Sequence, residues 1–126
     1  MSRTIITSAE LPKPSPYFSH AVSSAGLVFV SGTAPYSPET GKLVGETIQE
    51  QTAQSLRNIS AILAAAGTSL DKAVSATVIL ANEDDFAGMN EEWLKWFPVD
   101  PPARQGAKLP LRVPGLRISI AMIAEA

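Results

Sequence analysis

Apolar and polar positions follow two different periods along this chain. Between residues 47 and 66, Ile48, Thr52, Leu56, Ile59, Leu63 and Ala66 step by three or four and form one stripe, which predicts an amphipathic helix. Thr47 with Glu50 matches a capping box, and Gly67 stands where a C-terminal cap belongs. Phe86, Met89, Trp93 and Phe97 repeat that spacing; Asp84 and Asp85 open this second helix and Pro98 ends it. Elsewhere the period is two. In "LRISIAMIA", Leu116, Ile118, Ile120 and Met122 fall on one strand face, and Arg117, Ser119, Ala121 and Ile123 on the other. "AVSATVIL" is rich in β-formers and reads as an interior strand. "RTIIT" and the run from Leu27 to Val30 predict two more strands. "LPKPSP" breaks regular structure, because proline fixes φ and lacks a donor, and "SPETGK" is a turn.

The order is strands, helix, strand, helix, strands. It predicts one α+β domain over residues 1–126: a two-layer sandwich of a single sheet with both helices on one face. Such a sandwich has a bare sheet face. Here that face is expected to carry Arg117, Ser119, Ala121 and Ile123, with Ser75, Thr77 and Gly106. It is too apolar for plain solvent surface and too small-grained for a closed core, so a homo-oligomer is expected.

Composition narrows the chemistry. The 126 residues include no cysteine, which excludes disulfides, thiolate nucleophiles and cysteine metal sites. The start lacks the apolar core of a signal peptide, and no run approaches a membrane span; a cytoplasmic protein without membrane contact is expected. A net charge of −2 gives no general attraction to nucleic acid. The stretch Arg104, Lys108, Arg112 and Arg117 is too sparse to indicate RNA binding.

Arg104 is the leading candidate for chemistry. From Arg104 to Ala124 the chain contains no acid. A guanidinium grips a carboxylate through two parallel hydrogen bonds and stays charged. Arg104, Gly106 and Lys108 share one strand face. Two readings stand: an anion site at a subunit seam, or an arginine paired with an acid from another segment or chain, the commoner fate of such a residue. His20, the single histidine, is a possible general base but reads better as a half-buried histidine at a strand start. Ser31 lacks a nucleophile-elbow pattern. Asp84, Asp85, Glu91 and Glu92 read as helix-end and solvent-face charges rather than metal ligands. Trp93 and Trp96 read as core and seam aromatics.

The pieces "FSHAV", "GLVFVSGTAP", "TGKLVG", "QTAQSLRNISAILAAAGTSLDKAV", "DFAGMNEEW" and "PPARQGAKLP" occur in this order across nearly the whole chain. As a set they resemble the RidA family, also called YjgF or L-PSP. The resemblance implies a chorismate-mutase-like fold of a mixed sheet with two helices, a homotrimer with ligand clefts between subunits, and hydrolytic deamination of reactive 2-enamine and 2-imine carboxylates to 2-keto acids and ammonia. It implies a small carboxylate ligand, with neither cofactor nor metal. It maps the carboxylate-binding and catalytic arginine onto Arg104, and substrate contacts onto Ser31, Gly32, Gly106 and Asn90. Three positions depart from the pattern. Phe18 replaces a tyrosine, with Tyr17 one place earlier; Gly106 replaces a cysteine; and Ala121 replaces the glutamate that positions water. These departures keep a second reading open, a non-catalytic trimeric binder of small carboxylates. The ribonuclease activity reported in the family is a third, which the acidic charge disfavours.

Overall fold

The computed structural model describes residues 2–126. In chain order it contains β1 (Thr4–Ile6), β2 (Ala21–Ser24), β3 (Leu27–Thr33), α1 (Ile48–Ala65), β4 (Ala73–Leu80), α2 (Phe86–Trp96), β5 (Ala103–Lys108) and β6 (Ile118–Glu125). The strands form one 6-stranded sheet in the order β1-β2-β3-β6-β4-β5. Only β4 and β5 run parallel, joined by α2 as their crossover; every other pair is antiparallel. This is the single sheet with two helices that the periodicities predict, and its pairing is mixed, as the resemblance implies.

Local chemistry explains the element ends. Thr47 caps α1 by accepting from the Glu50 N–H, and the Glu50 carboxylate accepts from the Thr47 N–H. At the other end Gly67 takes φ +84°, and the Gly67 and Thr68 N–H groups reach back to Ala64 O and Leu63 O. That is a Schellman closure, which favours glycine because the left-handed region clashes with a Cβ. The turn from Ser24 to Leu27 joins β2 to β3 with Ala25 and Gly26 both at positive φ, the geometry that matches strand twist in a two-residue hairpin. The tightness of this turn adds β2 ahead of the expected strand, and β3 continues past Val30 to Thr33.

Both helices pack on the same sheet face. Val28, Val30, Ala76, Val78, Leu80, Ile118, Ile120 and Met122 meet Leu56, Ile59, Leu63, Met89, Trp93 and Phe97 in one core. Full burial of side chains such as Ile118 and Ile120, both at 0% exposure, contributes about 1.5–3 kcal/mol each. Among the described residues, no layer covers the opposite face. Ile5, Val22, Phe29 and Ile123 are register partners and form an apolar row across β1, β2, β3 and β6. Ile5 is 50% and Phe29 41% exposed.

Two expectations for that face need correction. Gly106 pairs in parallel register with Val78, a core residue, so it lies on the helix side. Arg117 precedes β6 and turns away. Its guanidinium donates to both carboxylate oxygens of Asp85 at 3.1 Å, because the turn before α2 brings that acid beside the start of β6.

Candidate functional site

Strand β5 is an edge strand. In its register Arg104 lies beside Ala76, Gly106 beside Val78 and Lys108 beside Leu80. All three of those neighbours are core residues, so the Arg104 side chain extends along the helix face towards α2. There it meets two aromatic rings and a thioether. The Arg104 Cζ lies 5.1 Å from the Trp93 ring centroid and 5.7 Å from that of Phe86. Its Nη1 donates to the Met89 sulfur at 3.5 Å, a weak acceptor. Among the described residues no carboxylate pairs with Arg104. Partial burial lowers its pKa from the usual arginine value through desolvation, yet a guanidinium remains cationic throughout the accessible pH range.

This guanidinium opens into a cavity of about 590 Å³ lined by Phe86, Met89, Gly106, Lys108 and Glu83 among others. Lys108 and Glu83 pair at 3.0 Å with side chains 59% and 73% exposed, so that pair contributes little to stability. Gly106 leaves the strand face between Arg104 and Lys108 free of a side chain. A Cβ at Gly106 would stand 3.2 Å from Val78 O, closer than ordinary contact.

A second cleft, of about 370 Å³, lies beyond β3 and is lined by Phe18, His20, Ser31, Gly32, Tyr36 and Asn58 among others. Here the β3–β6 register slips between Val30 and Thr33. Ser31 and Gly32 together stand opposite the single residue Ala121, a β-bulge, which is a device that re-aims side chains at strand ends. The Ser31 hydroxyl donates to Ser19 O at 2.6 Å, so its proton is engaged and only its lone pairs are open to a ligand. A Cβ at Gly32 would sit 3.1 Å from the Ser119 hydroxyl, so a bare backbone fits this position best.

The cleft's buried polar groups are satisfied by the protein. His20 accepts from the Ser8 N–H at Nδ1 and sits 3.0 Å from Pro12 O at Nε2, which identifies the Nε2–H tautomer as the one donating there. It therefore ties the proline-rich segment to the start of β2, as its structural reading implies. Asn58 donates to Ala34 O and Tyr36 O and accepts from Gln54.

The residues mapped by resemblance thus divide between two places. Arg104 and Gly106 line the first cavity; Phe18, Ser31 and Gly32 line the second. Strands β6 and β4 stand between β3 and β5, a separation of roughly 14 Å at ordinary strand spacing. Tyr17 is 93% exposed and lines neither cavity. Asn90, on α2, also lines neither. Ala121 pairs with Thr77 on the bare face, opposite in sense to Arg104. No group of metal-binding side chains occurs among the described residues. The contacts that sequence reasoning missed are Phe86, Met89 and Trp93 around Arg104. Their spacing marked a helix stripe, and nothing local showed that an edge-strand arginine would lie against one end of it.

Comparison with known proteins places this arrangement among relatives. The family model described as "Endoribonuclease L-PSP" matches residues 8–126. The chain is 37% identical over 127 residues to the chloroplastic Reactive Intermediate Deaminase A of Arabidopsis thaliana, covering 98% of this chain and 66% of that protein. A solved structure of a Rid-family protein, YyfA of Yersinia pestis, superposes with TM-score 0.92 at 31% identity, covering 99% of this chain and 100% of that one. E. coli TdcF, solved with bound serine, superposes with TM-score 0.89 at 28% identity over 98% of both chains.

Proposed function

The chain belongs to the endoribonuclease L-PSP family, and from that premise we propose that it is a hydrolytic deaminase of reactive 2-enamine and 2-imine carboxylates. Its site is a cleft between subunits of a chorismate-mutase-like homotrimer. Arg104 of one subunit holds the substrate carboxylate, and the Ser31–Gly32 bulge of a neighbour closes the other wall. The single observation that carries this reading is a guanidinium free of any acid among the described residues, facing a cavity. The division of Arg104 and Ser31–Gly32 between opposite parts of the sheet supports a shared site, since one protomer alone does not unite them. The bare apolar row through Phe29 and Ile123 supports self-association. One relative carries the name of a reactive intermediate deaminase, and another was solved with an amino acid bound.

The reaction balances with water alone. A 2-enamine first tautomerises to the 2-imine, C3 gaining a proton as nitrogen loses one; water then adds to the imine carbon, its protons pass to nitrogen, and the carbinolamine releases ammonia to leave the 2-keto acid. No electron leaves the substrate, so the step calls for no redox cofactor. Arg104 orients the carboxylate, and the positive charge beside it favours attack at the neighbouring carbon. Such imines hydrolyse readily unaided, so a modest gain in rate suffices.

A non-catalytic binder of small carboxylates is the second reading, and Ala121 is the observation that favours it. The residue opposite the Ser31–Gly32 bulge supplies no acid to position water. Ribonuclease activity is disfavoured by the net charge of −2. The deciding experiment follows the decay of several 2-imino acids, generated freshly by an amino-acid oxidase, with wild-type protein and Arg104→Ala. Faster decay that depends on Arg104 supports the deaminase. Decay at the spontaneous rate, with carboxylate binding intact, supports the binder.

A further inference from the structure

We infer that Phe86 and Trp93 are the positioning residues of Arg104, holding its guanidinium by their ring faces so that its N–H donors, apart from the one on the Met89 sulfur, stay free for an anion. This rests on the proposed anion role of Arg104 and adds to it the means by which an unpaired arginine is kept in place.

An exposed arginine on an edge strand has many rotamers, and fixing one costs conformational entropy that something must offset. The usual anchor is a carboxylate. It would fix the side chain but neutralise its charge and occupy the donors an anion needs. Aromatic faces fix the plane through its cation–π attraction without taking up an N–H. Arg104 has that second arrangement: centroids at 5.1 and 5.7 Å, and one weak contact to the Met89 sulfur.

The two rings are themselves held differently. Trp93 is 6% exposed and packs on Phe97 with centroids 4.8 Å apart, so the core fixes it. Phe86 is 52% exposed and lines the cavity. A half-exposed phenylalanine at the first position of a helix adds little to the core, so packing within the protomer does not account for its place. Its place beside the guanidinium does. The i, i+7 spacing of Phe86 and Trp93 puts both rings on one helix face, with Met89 between them.

Phe86 is the residue to test, because its exposure makes a change tolerable to the fold. Pyruvate affinity is measured by calorimetry for wild type, Phe86→Leu, Phe86→Tyr, Arg104→Ala and the double variant Phe86→Leu/Arg104→Ala, with urea midpoints recorded in parallel. Leucine keeps apolar bulk and removes the ring; tyrosine keeps the ring. Phe86→Leu is expected to weaken pyruvate binding about two- to fivefold, the range for an exposed cation–π contact. Its urea midpoint should match wild type, Phe86→Tyr should bind like wild type, and the Phe86→Leu effect should vanish in the Arg104→Ala background. If Phe86→Leu binds like wild type while Arg104→Ala loses binding, the positioning inference fails and the anion role of Arg104 stands. If Phe86→Tyr is as weak as Phe86→Leu, the ring face is not the cause and the inference also fails. If Arg104→Ala binds pyruvate normally, the anion role fails and takes the inference with it.

Discussion

Replacing Gln51 by alanine should destabilise the fold far more than a single polar change on a helix usually does. Gln51 is 1% exposed on α1. Its amide donates to Gly45 O at 3.1 Å and Gly115 O at 2.8 Å, and its carbonyl accepts from the Arg117 N–H at 2.9 Å. One side chain thus joins the loop before α1 to the segment that enters β6. At a net value of about 1 kcal/mol per bond, and with partners left partly buried, Gln51→Ala should cost about 3 kcal/mol. That corresponds to a fall in Tm of roughly 10 °C for a domain of this size. Gln51→Glu provides the sharper comparison. It preserves the acceptor for Arg117 but turns an oxygen towards two carbonyls, so it should be unstable at neutral pH and recover as acid protonates it. Urea unfolding followed by circular dichroism, at one fixed protein concentration, measures both. A Gln51→Ala cost below about 0.5 kcal/mol would show that water replaces these bonds readily and would refute the reasoning.

Three further outcomes are expected. Ala121→Glu, which places a carboxylate opposite the Ser31–Gly32 bulge, should raise imine turnover about tenfold or more if the protein is a deaminase, since a positioned base contributes at least that much; no change in turnover, with affinity and urea midpoint intact, would favour the binder. Glu50 has its pKa lowered by hydrogen bonds from the Thr47 backbone, then the Thr47 hydroxyl, then the Glu46 backbone. Its stabilising effect is therefore present above the ordinary carboxylate range and lost as pH falls through the lowered value, so Glu50→Gln should show a shallower acid-side decline in Tm than wild type. Light scattering at micromolar concentration should give the mass of a trimer, and a monomer there would remove the shared cleft.

The helices and most strands were legible because their signals are local, whereas β2 was not read as a strand. The stripe through Leu56 and Ile59, the Thr47–Glu50 pair and the alternation from Leu116 to Met122 each need only neighbouring residues. Arg117 shows where that stops. Its parity placed it on the bare face, but it precedes the strand, and Asp85, 32 residues earlier, decides its direction. Gln51 was invisible for a related reason: its partners Gly45 and Gly115 are backbone groups that no sequence pattern marks. At the candidate site, the absence of an acid after Arg104 was readable, and the described residues contain no acid partner from elsewhere. The rings beneath it were not readable as a platform, since Phe86 and Trp93 meet β5 only through the crossover packing of α2. The separation of Ser31 from Arg104 depends on strand order, which one sequence does not encode locally.

The central claim is that Arg104 recognises the carboxylate of a small 2-oxo or 2-imino acid, and the affinities of pyruvate and pyruvamide for wild type and Arg104→Ala test it most directly. The two ligands differ only at the group Arg104 is proposed to hold. A charge-assisted contact of this kind is worth about 1.5–3 kcal/mol, so wild type should prefer pyruvate by roughly ten- to a hundredfold. Arg104→Ala should lose that preference while its pyruvamide affinity stays near wild type, because the two changes remove the same interaction. An Arg104→Ala protein that still prefers pyruvate by the wild-type margin would contradict the account.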